Sequence, residues 1–276
     1  GEEAQAKLHE STVLVVGAGG LGSPVIQYLA AAGVGKLVII DGDQVDLSNL
    51  QRQVIFEECQ IGINKAVAAK QFVEQFNSEV QVEIVEEFLT PQNALGLFSR
   101  VDVVVDGTDN FQTRYLVSDA CSITGKPLIF GSIFKYEGQV SVFNLNGGPT
   151  YRCLFPEPPS AGEVPNCSEI GVLGVLPGVI GSMMATEAIK VITEIGESLS
   201  GRLLIYDALT MRFREMKIAK SSVQITQLEE DYDSFCGIER VRSIDVLELK
   251  KWMDSGKDFD LLDVREAFER EICHLG

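Results

Sequence analysis

The sequence predicts an α/β protein, a Rossmann-like mixed sheet flanked by helices, with a shorter second piece after it. Three observations carry this. Short apolar runs rich in valine and isoleucine recur at 13–16, 37–40 and 101–105, the pattern of strands buried on both faces. Between them lie longer stretches with helical spacing of apolar residues, and such alternation builds a largely parallel sheet. The first strand also runs straight into a glycine loop. At 276 residues, 45% of them hydrophobic and 23% charged, the chain has material for one large domain and a small second one.

Val13 to Val16 forms the first strand and stops at Gly17. Gly17, Gly19 and Gly22, with Gly20 between them, satisfy G-x-G-x-x-G. The turn can therefore be tight, and bare backbone N–H groups can approach a phosphate at the N-terminus of the helix that starts near Leu21. That helix is alanine-rich and stops at Gly33. Leu37 to Ile40 delivers Asp41 at its carboxyl end, nineteen residues past Gly22, where a carboxylate can accept hydrogen bonds from ribose hydroxyls. These two features alone fit NAD as well as ATP. The next polar stretch favours the triphosphate, because Arg52 and Lys65 can neutralise β and γ oxygens and stabilise departing pyrophosphate. A dehydrogenase has no need of Asn49, Arg52, Gln53 and Lys65 there, although any one of them alone would suit a solvated loop.

Lys65 to Asn77 has one apolar helical face, through Val67, Phe72, Val73 and Phe76. Val80 to Val85 alternates like a strand, and Pro91 to Ser99 reads as a short helix. Val101 to Val105 is a buried strand leading into Asp106 and Asp109, again at a carboxyl edge, where one acid can hold Mg²⁺ against triphosphate oxygens. As part of a bare D-x-x-D, Asp109 would equally make an Asx turn or cap the helix predicted over Phe111 to Thr124. Pro127 to Ile133 and Gln139 to Asn144 follow as strands. Residues 146–169 are irregular, with five prolines and three glycines, a connection long enough to be functional or mobile. Pro177 to Ile195 reads as a helix, and Leu203 to Asp207 and Arg212 to Ile218 as strands closing a domain over 1–219. The polar stretch 220–242 reads as a linker or surface tail. From 243 to 276 a second domain begins, with an amphipathic helix over Ser243 to Met253 and a strand over Phe259 to Val264.

The net charge of −17 argues against nonspecific nucleic-acid binding, and no basic cluster offsets it. GEEAQAKLHE has neither the basic start nor the apolar core of a secretory signal. The longest uncharged stretch, Ile170 to Thr186, is broken by four glycines and Pro177 and does not suit a membrane span. Six cysteines, at 59, 121, 153, 167, 236 and 273, form no C-x-x-C pair, which favours free thiols in a reducing cytoplasm. Cys59 and Cys121 read as packing residues. Zinc needs clustered thiolates or imidazoles, and the two histidines, His9 and His274, stand at opposite ends.

Together GAGGLGS (17–23), IIDGDQVDLSNLQRQ (39–53), IGINKA (61–66), DGTDN (106–110) and YRCLFP (151–156) resemble the MoeB and ThiF type of adenylating enzyme, relatives of the ubiquitin-activating enzymes. The resemblance spans essentially Ser11 to Ile218. FDLLDVREAFEREICHLG (259–276) is similar to the opening of a rhodanese domain, so the whole resembles the fused MoeB-rhodanese proteins. The resemblance implies an E1-like fold and ATP-dependent adenylation of the C-terminal glycine of a ubiquitin-like sulfur carrier, of MoaD, ThiS or CysO type, in preparation for a thiocarboxylate. It places Gly17 to Gly22 at the phosphates and Asp41 at the ribose. It sets Asn49, Arg52 and Lys65 on the phosphates, with Asp43, Gln53 and Asn110 also at the nucleotide, and makes Asp109 the Mg²⁺ ligand. Cys167 matches a crossover-loop cysteine that links to the carrier by thioester or persulfide; from the residue itself, a small buried thiol is as good a reading. A homodimer and a cysteine desulfurase as sulfur donor are further expectations.

The sequence departs from the family in three respects. Thr150 stands where the first cysteine of one zinc-binding pair would be, and residues 220–232 hold no second pair, so zinc is expected to be absent. The family's N-terminal arginine, which reaches into the neighbouring subunit's site, would precede Gly1. The rhodanese sulfur-carrying cysteine would lie beyond Gly276, leaving adenylation without sulfur transfer. Two other activities stay open on the residues: adenylation of a small-molecule or tRNA-bound carboxylate, and an NAD-dependent oxidoreductase. A noncatalytic scaffold that keeps the site for regulatory binding is the third alternative.

Overall fold

Val13, Leu14, Val15 and Val16 send their side chains alternately to two sides of the sheet, and all four are buried. Both sides must therefore be covered, and helices do so. The computed structural model describes residues 1–159, 171–237, 244–260 and 262. In chain order the elements are α1 (Glu2–Glu10), β1 (Thr12–Val16), α2 (Gly22–Ala32), β2 (Lys36–Ile40), α3 (Lys65–Phe76), β3 (Gln81–Val85), α4 (Pro91–Phe98), β4 (Val103–Asp106), α5 (Phe111–Thr124), β5 (Leu128–Phe134), β6 (Glu137–Phe143), α6 (Tyr151–Leu154), α7 (Leu176–Thr193), β7 (Arg202–Asp207), β8 (Arg212–Lys217), α8 (Tyr232–Phe235) and α9 (Val246–Asp254).

The eight strands lie in the order β3-β2-β1-β4-β5-β6-β7-β8. The pairs from β3 through β5 are parallel, with Thr12 opposite Lys36 and Val13 opposite Val103, while β6, β7 and β8 are added antiparallel. Val13 and Val15 belong to the core shared with α2, α3 and α7. Leu14 and Val16 belong to the core under α4 and α5. The predicted mixed sheet is thus present, with helices on both faces.

Local chemistry sets the helix ends. Gly33 stops α2 with φ of 76° and Gly125 follows α5 at 69°, the left-handed conformation that glycine adopts at no steric cost. Asn64 caps α3 by accepting the Ala66 and Val67 N–H groups, and Asn110 caps α5 by accepting that of Thr113.

Three features depart from the sequence reading. Residues 2–10 form α1, which periodicity misses because Leu8 is its only buried residue. Inside the irregular stretch, Tyr151–Leu154 makes one helical turn with Tyr151 and Arg152 buried. Residues beyond 219 are not free of the first domain: the chain divides into compact units Gly1–Ile238 and Glu239–Gly276. Tyr232 and Cys236 are buried in the first unit. Tyr232 Oη donates to Asp119 Oδ2 at 2.7 Å, and Arg152 binds both oxygens of the same carboxylate at 2.8 and 2.7 Å. One short turn carries this packing, too little for a periodic signal.

In the second unit α9 begins later than expected, at Val246, capped by Asp245, and Trp252 lies 6.0 Å from Phe259 between ring centres. Of the strand expected over Phe259 to Val264, residues 259, 260 and 262 are not extended into a strand, and residues 261, 263 and 264, like Cys273, lie outside the described residues. Among the described residues no helix is long and apolar enough to cross a membrane.

Candidate functional site

The strand order reverses between β1 and β4, and loops leaving the carboxyl ends of these neighbours diverge, opening a crevice. The floor is tied across strands: Gly17 N–H donates to Ile40 O at 2.9 Å, and Gly107 N–H to Val16 O at 2.8 Å. A Cβ on Gly22 would be driven into the Gly17 carbonyl. Gly22 thus lets α2 start hard against the end of β1, but it does not line the crevice as expected of it. Gly17, Gly19 and Gly20 do, around a cleft of about 450 Å³, within the range of small-molecule sites.

Asp41 stands at the rim of β2. Its two oxygens accept the Ala18 and Asp43 N–H groups, each at 2.8 Å, so the carboxylate joins the glycine loop to its own loop and keeps lone pairs over for a ligand. Burial raises the Asp41 carboxyl from its ordinary range, against the pull of those N–H groups and of Lys65.

Arg52 and Lys65 both reach this cleft, by different routes. The Arg52 guanidinium touches only the Ser48 carbonyl, at 3.4 Å, and has no acidic partner among the described residues. The Lys65 side chain is only 8% exposed. Its Nζ sits 3.0 Å from Asp43 Oδ2, on a carboxylate that is itself 56% exposed. Asp43, expected at the nucleotide, is thereby the lysine's holder. Asn49 accepts from Gln53 Nε2 at 3.1 Å. Gln53 is 3% exposed and its Oε1 has no hydrogen-bond partner, an orphaned acceptor of the kind a ligand satisfies.

On the far wall Asp109 and Asn110 follow β4. The capping role open to Asp109 belongs to its neighbour: Asn110 Oδ1 accepts from Thr113 N–H at 2.9 Å. This commits the Asn110 oxygen to the fold and leaves the exposed Asp109 carboxylate without a partner among the described residues. Cys167 lies outside the described residues.

Several lining residues escaped the sequence reading. Phe88 and Leu89, just past β3, supply apolar surface at the same carboxyl edge, a position from which they could have been found. Arg114, one turn into α5, lines the wall beside Asp109, and its signal is the helical spacing from Asn110. Cys121 is buried as read, but Cys59 is exposed on a single 3-10 turn, Glu58–Gln60, rather than packed. Among the described residues no group of three or more His, Cys, Asp or Glu side chains is gathered for a metal ion.

Against known proteins, residues 1–227 match the model of the ThiF family. The chain is 48% identical over 289 residues to a probable adenylyltransferase/sulfurtransferase, MoeZ, of Mycobacterium tuberculosis, covering all of this chain and 74% of that one. It is 49% identical over 250 residues to a sulfur carrier protein adenylyltransferase of Thermus thermophilus, covering 86% of this chain and 92% of the relative. To the adenylyltransferase and sulfurtransferase MOCS3-1 of Zea mays it is 45% identical, spanning 64% of that protein's length. Its fold is similar to crystallised E. coli MccB, with a TM-score of 0.72 at 23% identity over 86% of this chain and 69% of that chain.

Proposed function

This chain belongs to the ThiF family, and from that premise we propose that its cleft binds ATP and adenylates the C-terminal glycine of a ubiquitin-like sulfur-carrier protein. A carboxylate is a poor acyl donor until one of its oxygens becomes part of a good leaving group. The carrier's carboxylate oxygen attacks the α-phosphorus, the bond from phosphorus to the α–β bridging oxygen breaks, and pyrophosphate departs with the electron pair. The carrier is left as an acyl adenylate, ready for a sulfur nucleophile.

The observation that carries this reading is a guanidinium with no acidic partner among the described residues and a buried ammonium in one cleft, opposite a glycine loop. Two cations placed before the reaction stabilise charge as it develops on the leaving group, and they do so without reorganising at that moment. The loop at Gly19 and Gly20 faces the phosphates, Asp41 holds the ribose, and Asn49 and Gln53 complete the polar wall. The free Gln53 oxygen is an acceptor for a ligand hydroxyl or amine.

Mg²⁺ fits the chemistry of the far wall. Asp109 offers one unpartnered carboxylate, and magnesium in nucleotide sites is commonly bound by one or two carboxylates plus the substrate's own oxygens. When bound, the ion withdraws charge from the phosphate oxygens. Cys167 is assigned the later covalent link to the carrier. The sulfur-transfer half is assigned to a rhodanese domain of which 243–276 is the start, with a cysteine desulfurase as donor, in a cytoplasmic homodimer. The relatives named adenylyltransferase and sulfurtransferase support the pairing of those two activities in one protein. Zinc has no place in the scheme, because Thr150 and Ser221 rather than further cysteines stand beside Cys153, each donating its N–H to the Sγ at 3.3 Å.

The test is exchange of labelled pyrophosphate into ATP. Exchange that depends on an added carrier protein with a free Gly-Gly terminus is the expected result. Exchange without any carrier would mean a small-molecule carboxylate, and NADH binding without ATP binding an oxidoreductase.

A further inference from the structure

Beneath the far wall of the cleft lies a charged pair that none of these roles uses. Asp106, at the end of β4, has no exposed surface, and Arg114 is 8% exposed. Asp106 Oδ1 accepts Thr108 N–H at 3.0 Å and the Thr108 hydroxyl at 2.6 Å. From the other side, Arg114 Nη2 donates to Thr108 O at 3.3 Å. The guanidinium carbon sits 5.6 Å from the Phe111 ring centre and 5.3 Å from that of Phe130. Arg114 Nε and Asp106 Oδ2 are 3.8 Å apart, and neither atom has a hydrogen-bond partner.

An ion pair this deep is seldom worth more to stability than apolar residues of the same volume, and two unsatisfied atoms add to its cost. Its product is geometry. Between Asp106 and α5 the chain is pinned at Gly107 by Val16 O, at Thr108 by both members of the pair, and at Asn110 by its cap. Only Asp109 projects free. We propose that Asp106 and Arg114 are positioning residues, which clamp Thr108 and thereby fix the Asp109 carboxylate that would hold a divalent cation accompanying the nucleotide. The proposal rests on the assignment of Asp109 to the metal under the function above. Arginine is needed because one planar group must stack on aromatic rings, reach Thr108 O and offset the Asp106 charge; lysine supplies only the charge.

Calorimetric titration of the full chain with ATP, in Mg²⁺ and then in EDTA, tests this. The readout is the factor by which magnesium strengthens nucleotide binding. Asp106→Asn/Arg114→Met removes the pair together and leaves no uncompensated buried charge. Whatever its affinity in EDTA, it is expected to lose about 10- to 100-fold of the magnesium-dependent gain, the usual cost of removing groups that orient a metal ligand. Should that variant not fold, Arg114→Lys keeps the charge and gives the same readout, with the gain reduced. Undiminished gain in whichever variant folds overturns the proposal. Asp109→Asn separates the two levels. If it abolishes the gain while the pair variants keep it, positioning alone is refuted. If the gain survives Asp109→Asn, the metal assignment fails and the positioning role falls with it.

Discussion

Replacing Lys65 with methionine separates the lysine's packing from its charge. The stem is buried and its Nζ meets the half-exposed Asp43. A pair with one member so open to water contributes about 0–1 kcal/mol. Lys65 is also the first residue of α3, where a cation opposes the helix dipole by about 0.3–1 kcal/mol. These two effects nearly cancel, so Lys65→Met, which keeps most of the apolar stem, should leave stability within about 1 kcal/mol of the parent. Lys65→Ala removes three stem methylenes at about 0.8 kcal/mol each and should cost about 2 kcal/mol. Adenylation should fall in both, because the departing pyrophosphate loses a preorganised cation; donors of this kind are worth about 100- to 1,000-fold in rate. Urea unfolding and carrier-dependent pyrophosphate exchange measure the two quantities separately. A methionine variant that exchanges at the parent's rate would refute the role given to Lys65, and one that unfolds like the alanine variant would refute the energetic separation.

Tyr232→Phe should cost about 1.5–3 kcal/mol in urea unfolding, because its hydroxyl donates to a buried carboxylate, while exchange activity stays unchanged; a neutral result would mean that residues beyond 219 do not brace the first unit. At Cys153 burial pushes the thiol up, but hydrogen bonds from Ser221 and Thr150 outweigh it and set the group at about 7, below the 9.0 of a free thiol. Its thiolate therefore adds stability that is complete above pH about 9 and lost as pH falls through about 7, a slope that Cys153→Ser should flatten. Alkylation followed by peptide mapping should show Cys153 reacting from lower pH than Cys59, whose thiol is raised by its hydrogen bond with Glu57; equal midpoints would contradict this. Gly22→Ala should abolish ATP binding or folding outright, because the methyl group would collide with the Gly17 carbonyl, and a stable variant with normal calorimetric ATP affinity would show the loop to be looser than described.

Where structure follows from neighbours in the chain, the sequence was legible. α5 was read to the residue, over Phe111–Thr124, because Asn110 before it and Gly125 after it are local signals. The carboxyl-edge positions of Asp41 and Asp109 followed from the apolar strands ahead of them, and the spacing of Arg52 and Lys65 from their motif. What stayed hidden depends on distant partners. A lysine's charge ordinarily goes with an open position, and only tertiary packing of α3 against the cleft buries the Lys65 stem. The Asp106–Arg114 pair is two polar residues eight apart in sequence, and nothing local announces that two aromatic rings bury the arginine between them. Tyr232 reaches Asp119 across 113 residues, a contact beyond any periodicity.

The central claim is that this cleft turns a protein's terminal carboxylate into an acyl adenylate. Intact-mass spectrometry of a ubiquitin-like sulfur carrier incubated with the chain, ATP and Mg²⁺, in the presence of pyrophosphatase, measures that product directly. A carrier heavier by one adenylyl group is expected, formed with the parent and lost with Arg52→Ala. A carrier of unchanged mass while ATP is consumed, or an adduct that forms equally well without the Arg52 guanidinium, would contradict the claim.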